Sequence, residues 1–177
     1  MKDRHRDIFG QARVEARLDM LSDAKDKPIQ PTTQELDAAA KLAEQSAIEQ
    51  VGEDSEKRFS AYAKHLEIVK SVRNANPLDD VYRGIDKWIL FREDQGLPEL
   101  PVQVKSSYRD ARLYKHGDPN TGRKPDPCFT RLHETEIVIN CGRAVKPKAF
   151  RRQMMDEVRR IKLALNADPT LTKYIKD

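Results

Sequence analysis

Four side chains of metal-binding type, His116, Cys128, His133 and Cys141, follow one another as H-x11-C-x4-H-x7-C. A structural zinc site gathers four such groups tetrahedrally and usually draws them as closely spaced pairs. No pair here has knuckle spacing, and strand alternation sends Cys128 to the opposite face from His133 and Cys141. Cys141 beside Ile137 and Ile139 reads as a small buried hydrophobe. Neither a metal nor a cofactor is expected. The chain has no glycine-rich phosphate loop, no G-x-S-x-G elbow and no H-E-x-x-H. The carboxylates Asp79, Asp80, Glu93, Asp94, Glu134 and Glu136 read as solvated or helix-end charge, Asp79 and Asp80 being favoured by a helix dipole. A non-enzymatic protein with no catalytic residue is the expectation.

Cations give the clearest positive signal. Residues 1–101 carry 16 Lys and Arg against 20 Asp and Glu, a net of −4, whereas residues 102–165 carry 15 against 7, a net of +8. Such a change of sign points to one surface that meets a polyanion. At about 100° per residue, Arg152 and Arg159 fall opposite the apolar stripe Phe150, Met154, Val158, Ile161 and Leu165. Arg151, Arg160 and Lys162 flank them, and Lys146 and Lys148 precede the helix. Arg123 and Lys124 tip a proline-rich loop, and Lys105, Arg109, Arg112 and Lys115 lie on the element before it. The planar guanidinium fork suits phosphate oxygens. The candidate nucleic-acid contacts are Arg123, Lys124, Lys146, Lys148, Arg151, Arg152, Arg159, Arg160 and Lys162.

Several elements must carry these groups. A helix over about Asp3–Ser22 and a linker with two prolines form an N-terminal arm, residues 1–31. Thr32 and Glu35 have capping-box spacing and open a second helix with an alanine stripe that Gly52 stops. A third helix is predicted over about Ser55–Arg73. A fourth starts at Asn76 and Pro77 and carries Leu78, Val81, Tyr82, Ile85, Trp88 and Ile89, with Gly96 closing it. Trp88 is expected in the core. Residues 32–101 therefore read as a small antiparallel three-helix bundle. Residues 102–177 read as a basic helix–β-hairpin–helix segment packed on it: a helix over about 104–115, a Gly/Pro/Asn/Asp loop, alternating residues from Phe129 to Cys141, and a last helix after Ala149. A tail with Leu171, Tyr174 and Ile175 can fold back.

The stretch "WILFREDQGLPELP" resembles the helix-and-turn texture of the N-terminal core-binding domains of tyrosine recombinases. The likeness stops at Trp88–Pro101, and nothing resembles the Arg/His/Tyr catalytic domain that would follow.

The expected fold class is mostly α, with the helical arm, the bundle and the hairpin segment in that order. A helix, a basic-tipped hairpin and a second basic helix are compatible with a winged helix on a duplex. With 6% aromatics and no aromatic–basic interleaving, single-strand stacking modules are disfavoured. The expected function is nucleic-acid binding or nucleoprotein assembly through phosphates, duplex favoured. The alternative is a structural subunit of a larger assembly, such as a macromolecular machine or virus particle, in which the arm and basic face meet acidic protein surfaces in a homo- or hetero-oligomer. No run of 18 apolar residues and no secretory leader is visible, and two cysteines make no disulfide framework. No membrane partner is expected, and a cytoplasmic setting is.

Overall fold

The computed structural model describes residues 4–25, 31–132 and 135–175, and the chain divides into two compact units, 1–53 and 54–177. In the first unit, α1 (Arg4–Ala24) is tied to the opening of α2 (Thr33–Ala63) by the ion pairs Arg17–Asp37 and Arg13–Glu44. The capping box is present: the Thr32 hydroxyl accepts the Glu35 N–H at 3.3 Å, and the Glu35 carboxylate accepts the Thr32 N–H at 2.7 Å. Gly52 does not stop the helix. An interior glycine costs only about 1 kcal/mol against alanine, and α2 continues to bring Phe59 and Ala63 into the core of the second unit.

The second unit is built on a four-stranded sheet in the order β1 (Val69–Asn74), β2 (Lys87–Phe91), β3 (Leu100–Lys105), β4 (Ile137–Asn140). β1, β2 and β3 form an antiparallel meander, and β4 runs parallel to β3. The expected helical bundle is thereby overturned. The chain is 61% helical but α+β, and neither the three-helix bundle over 32–101 nor the helix–β-hairpin–helix over 102–177 exists. With the hairpin goes the winged-helix geometry, since β4 pairs with β3 in parallel.

Each misreading has a local cause. The three-and-four spacing from Leu78 to Ile89 spans two elements. α3 (Pro77–Arg83) has Asn76 as N-cap, its side chain accepting the Asp79 N–H, and ends at Gly84, which is left-handed at φ 64°. Leu78, Val81 and Tyr82 are exposed. After Gly84 the run Trp88–Phe91 is a strand covered on both faces, which periodicity does not separate from a buried helix. Trp88 is buried as expected, but on β2. The recombinase-like stretch forms β2, a 3-10 turn (Glu93–Gln95) and the start of β3. In place of a helix over 104–115, β3 ends at Lys105 and α4 (Tyr108–His116) begins after the cap Ser107. The predicted alternation from Phe129 holds only over β4. Asp126 and Pro127 instead start a short helix, α5 (Pro127–Arg131), with the Asp126 carboxylate accepting the Cys128 N–H at 2.9 Å. His133 and Glu134 lie outside the described residues, and the metal reading that used His133 goes with them.

The sheet has two covered faces. On one, Val102, Val104, Ile137, Ile139 and Cys141 pack with Phe59 of α2 and with Phe150, Met154, Val158 and Ile161 of α6 (Pro147–Ala167). Ile175 joins that core, so the tail does fold back. On the other face Val138 packs with Ala111, Tyr114 and Phe129 of the α4–α5 crossover. Helix α6 also closes the open edge of β4 with side chains: Glu157 accepts the Val138 N–H at 3.4 Å, Gln153 accepts the Asn140 N–H at 3.2 Å, and Arg160 donates to the Glu136 carbonyl at 2.7 Å. An unpaired edge is an aggregation hazard that such cover removes.

Phe150 stands edge-on to Phe59 and Tyr62, with ring centroids 5.7 and 5.3 Å away. Phe150→Ala is expected to cost about 3–5 kcal/mol, read from the urea midpoint at unchanged slope. A loss below about 1 kcal/mol would show that this ring cluster does not hold the core.

Candidate functional site

Opposite register places Asn74, Lys87 and Val102 in one row across β1, β2 and β3, and Lys105 beside Asn140 of β4. The end of β1, the start of β2 and the ends of β3 and β4 therefore meet at one end of the sheet. Side chains alternate along a strand. With Val102 and Val104 facing the main core, Gln103 and Lys105 face the α4–α5 side, together with Val138 and Glu136 of the neighbouring strand.

Asp86, one residue ahead of β2, is fixed at this end on every side. Its N–H donates to the Val102 carbonyl at 2.9 Å, and its carbonyl accepts the Ala75 N–H at 3.1 Å. Its Oδ2 accepts both the Val104 N–H and the Gln103 side-chain amide at 2.6 Å. Oδ1 has no hydrogen bond among the described residues. Burial pushes the Asp86 carboxyl up to about 7; the Val104 N–H and Lys105 pull the other way, while Glu56 and Asp80 add to the rise. Glu56 comes from α2 and pairs with Lys87 at 2.6 Å; Lys87 also donates to Asn74 at 2.9 Å. Gly84 is needed just before: a Cβ there would lie 3.2 Å from Cys128 Cβ and 3.3 Å from Gln103 Oε1, at a positive φ that side chains avoid.

Lys105 leans the other way, its ammonium 4.2 Å from the centre of the Tyr114 ring. The Tyr114 hydroxyl donates to Glu136 Oε2 at 3.0 Å, inside the protein. Glu136 is 0% exposed, and its Oε1 is buried without a hydrogen-bond partner among the described residues. Burial holds this carboxyl well above the ordinary glutamate range, against the Tyr114 hydrogen bond and Lys105, with Asp86 and Asp126 reinforcing it. Burial and Glu136 likewise raise the Tyr114 phenol. A buried acceptor left unsatisfied costs about 1–3 kcal/mol. Glu136 is thus no solvated surface acid, contrary to the expectation from its sequence neighbours.

The nine predicted contacts divide. Lys146, Lys148, Arg151 and Arg152 are exposed at the start of α6. That start lies at the site's end of the sheet, because α6 meets β4 in reverse order, Gln153 at Asn140 and Arg160 at Glu136. The loop after β4 is pressed against the residue after Lys105: a Cβ on Gly142 would come 1.9 Å from the Ser106 carbonyl oxygen. Lys148, Arg152 and Arg159 share one exposed face of the helix. Arg123 and Lys124 are exposed in the tight loop after α4, displaced toward the start of β4, since a crossover helix runs back along its parallel strands. Arg160 and Lys162 are engaged structurally: Arg160 binds Glu157 at 2.8 Å as well as the Glu136 carbonyl, and Lys162 donates to Gln95 at 3.2 Å. Lys115 is likewise paired with Glu157, at 2.6 Å.

Neither Cys128 nor Cys141 is in a disulfide. Burial pushes the Cys141 thiol up to about 12, so it stays protonated, and Arg58 donates to its carbonyl at 2.5 Å. Among the described residues no three His, Cys, Asp or Glu side chains form a group that could hold a metal ion. Asp86, Gln103 and Glu56 were not singled out by the sequence reading, and Lys105 was named only among the cations of a predicted helix. The available signal was two apolar runs, "KWILF" and "LPVQV", joined by a Gly-Pro turn, with Asp, Gln and Lys gathered at one end of the pair. Comparison with family models, with curated proteins and with solved structures finds no match to this chain. Among the described residues no helix is long and apolar enough to cross a membrane.

A carboxyl whose folded value lies near 7 binds its proton more tightly in the native state than in the unfolded chain. The stability it contributes is complete below about pH 4 and is lost as pH rises toward 7, by up to about 1.4 kcal/mol per unit. Asp86→Asn keeps an acceptor for Val104 and Gln103 but removes this titration. Denaturation midpoints from pH 4.5 to 8 should fall more steeply for the wild type than for Asp86→Asn; parallel curves would show that Asp86 ionises freely.

Proposed function

We propose that the second unit is a nucleic-acid phosphodiesterase, in which the basic surface grips phosphates and the Asp86 end of the sheet hydrolyses a backbone bond with a divalent cation. This keeps the phosphate binding expected from sequence and adds catalysis, where a non-enzymatic role had been expected. The observation that carries it is the convergence, at one strand end, of Asp86, Glu56, Gln103 and Lys105, with Lys146, Lys148, Arg151 and Arg152 emerging from the same end.

The residues present fit a magnesium-type ion, which needs only one or two protein carboxylates and fills its remaining positions with water and substrate phosphate. Asp86 would offer Oδ1, since its side-chain hydrogen bonds to Gln103 and Val104 are both made by Oδ2, and Glu56 would offer the carboxylate oxygen that does not pair with Lys87. Such an ion, when bound, polarises the phosphoryl group and acidifies a water. Gln103 and the Val104 N–H hold Asp86 in one orientation. Lys105 brings a fixed positive charge toward phosphate oxygens that gain charge during displacement. The exposed arginines of α6 hold the strand by its neighbouring phosphates, without reading bases.

Purified protein given Mg2+ and a labelled duplex or single strand should cleave it, and EDTA should stop the reaction. Asp86→Asn and Lys105→Ala should each lower the rate by about 100-fold or more while leaving circular dichroism unchanged. The pair Arg152→Glu with Arg159→Glu should instead weaken retention on a nucleic-acid column and flatten its salt dependence. No divalent-dependent cleavage by wild type removes the catalytic reading; unchanged retention of the double variant removes the assigned surface.

A second reading, a subunit held in a larger assembly, is favoured by one observation. The first unit exposes Val14, Leu18, Leu21, Leu42 and Ile48, apolar side chains that a partner surface would cover. Light scattering should then give a mass above the 20.4 kDa of one chain that returns to it with Leu18→Gln and Leu42→Gln together. A monomeric wild type would leave this surface without a self-assembly role.

A further inference from the structure

Glu136 has no structural need of its charge. It sits at 0% exposure with one oxygen unpartnered, where an apolar side chain of similar size would fill the same space with no polar atom to satisfy. Its one side-chain bond is to the Tyr114 hydroxyl, and the Tyr114 ring lies under the Lys105 ammonium. Phe129 also packs edge-on against the ring, with centroids 5.8 Å apart. Lys105 therefore rests on a ring whose far end is anchored by a buried carboxyl. We infer that Glu136 is a positioning residue for Lys105: through Tyr114 it fixes where the ammonium stands beside Asp86.

The assignment rests on the phosphodiesterase reading for its consequence but not for its geometry. Cation–π attraction is directional, strongest over the ring face, and an aromatic ring with a free hydroxyl could swing about its Cα–Cβ bond. Anchoring the hydroxyl removes that freedom and holds the ammonium at one distance from the reacting phosphate. The charged and titratable groups around Glu136 are Tyr114 of α4, Lys105 of β3, Asp86 ahead of β2 and Asp126 ahead of α5; Arg160 of α6 meets only its backbone carbonyl.

Four variants separate positioning from packing. Glu136→Leu removes the anchor and should be at least as stable as wild type, yet its kcat should fall about tenfold or more with KM little changed. Tyr114→Phe, which keeps the ring and loses the hydroxyl, should fall the same way. Glu136→Gln keeps an acceptor for the hydroxyl and should restore kcat to within about threefold. The ring contact is read independently by NMR of reductively 13C-methylated protein, with the Lys105 signal identified by its loss in Lys105→Arg. That signal should be shifted upfield by the ring in wild type and in Glu136→Gln, and should move toward the free-lysine position in Glu136→Leu. An unshifted Lys105 signal in wild type, or one unmoved by Glu136→Leu, overturns the inference, as does a Glu136→Leu enzyme with wild-type kcat. A wild type that cleaves nothing defeats the phosphodiesterase reading alone, and the NMR comparison still decides whether Glu136 sets the position of Lys105.

Discussion

The second unit depends on how Asp86 is tied. Its main chain bonds to Val102 on one side and Ala75 on the other, and its carboxylate takes the next N–H of β3. One residue therefore joins three strands at the point where the meander would fray. The cost is a partly buried acid near other acids, which cannot ionise freely. A neutral acceptor such as asparagine would make the same bonds without that cost. A carboxylate kept there, with Glu56 raising its proton affinity and Lys105 lowering it, makes sense as a site prepared for positive charge.

Charge elsewhere in the unit is sorted by the same logic of burial. Glu157 lies under the crossover and binds Lys115, Arg160 and the edge N–H of Val138. Those two cations are used up in holding α4 and α6 to β4. The cations left exposed, Lys148, Arg152 and Arg159, stand on the opposite face of α6 from Met154, Val158 and Ile161. Two residues with the same side chain, Arg159 and Arg160, thus have different work because a step of about 100° along the helix separates solvent from the Glu157 carboxylate.

This also marks how far the sequence was legible. The stripe on α6 was readable because one face is apolar and the other charged over a long span, and α1 and the Thr32 capping box were equally plain. The sheet was not. Its strands are four to six residues long, and β2, β3 and β4 are covered on both faces, so they show runs rather than alternation. The spacing of Leu78, Val81 and Tyr82 then joined by accident to Ile85, Trp88 and Ile89 across Gly84, and a strand read as helix. Site residues vanished with it. Gln103 and Lys105 on a helix point in different directions; on a strand, two apart, they share a face.

Glu136 was illegible for a different reason. Acids in the company of His133 and Glu134 read as surface, and nothing local says that the chain dives inward at Thr135, itself 0% exposed. What hides Glu136 is long-range: α4 must cross from β3 before Tyr114 and Phe129 can cover it. The same crossover gives Lys105 its aromatic neighbour, Tyr114. On the proposed reading, a ring is a weaker partner than a carboxylate and would release the ammonium toward a phosphate at modest cost. Lysine held by a direct ion pair in that place, as Lys87 is held by Glu56 at 2.6 Å, would have to break a close charge pair first. The difference between these two lysines is the physical reason why the proposed phosphodiesterase reading gives the catalytic part to Lys105 and the structural one to Lys87.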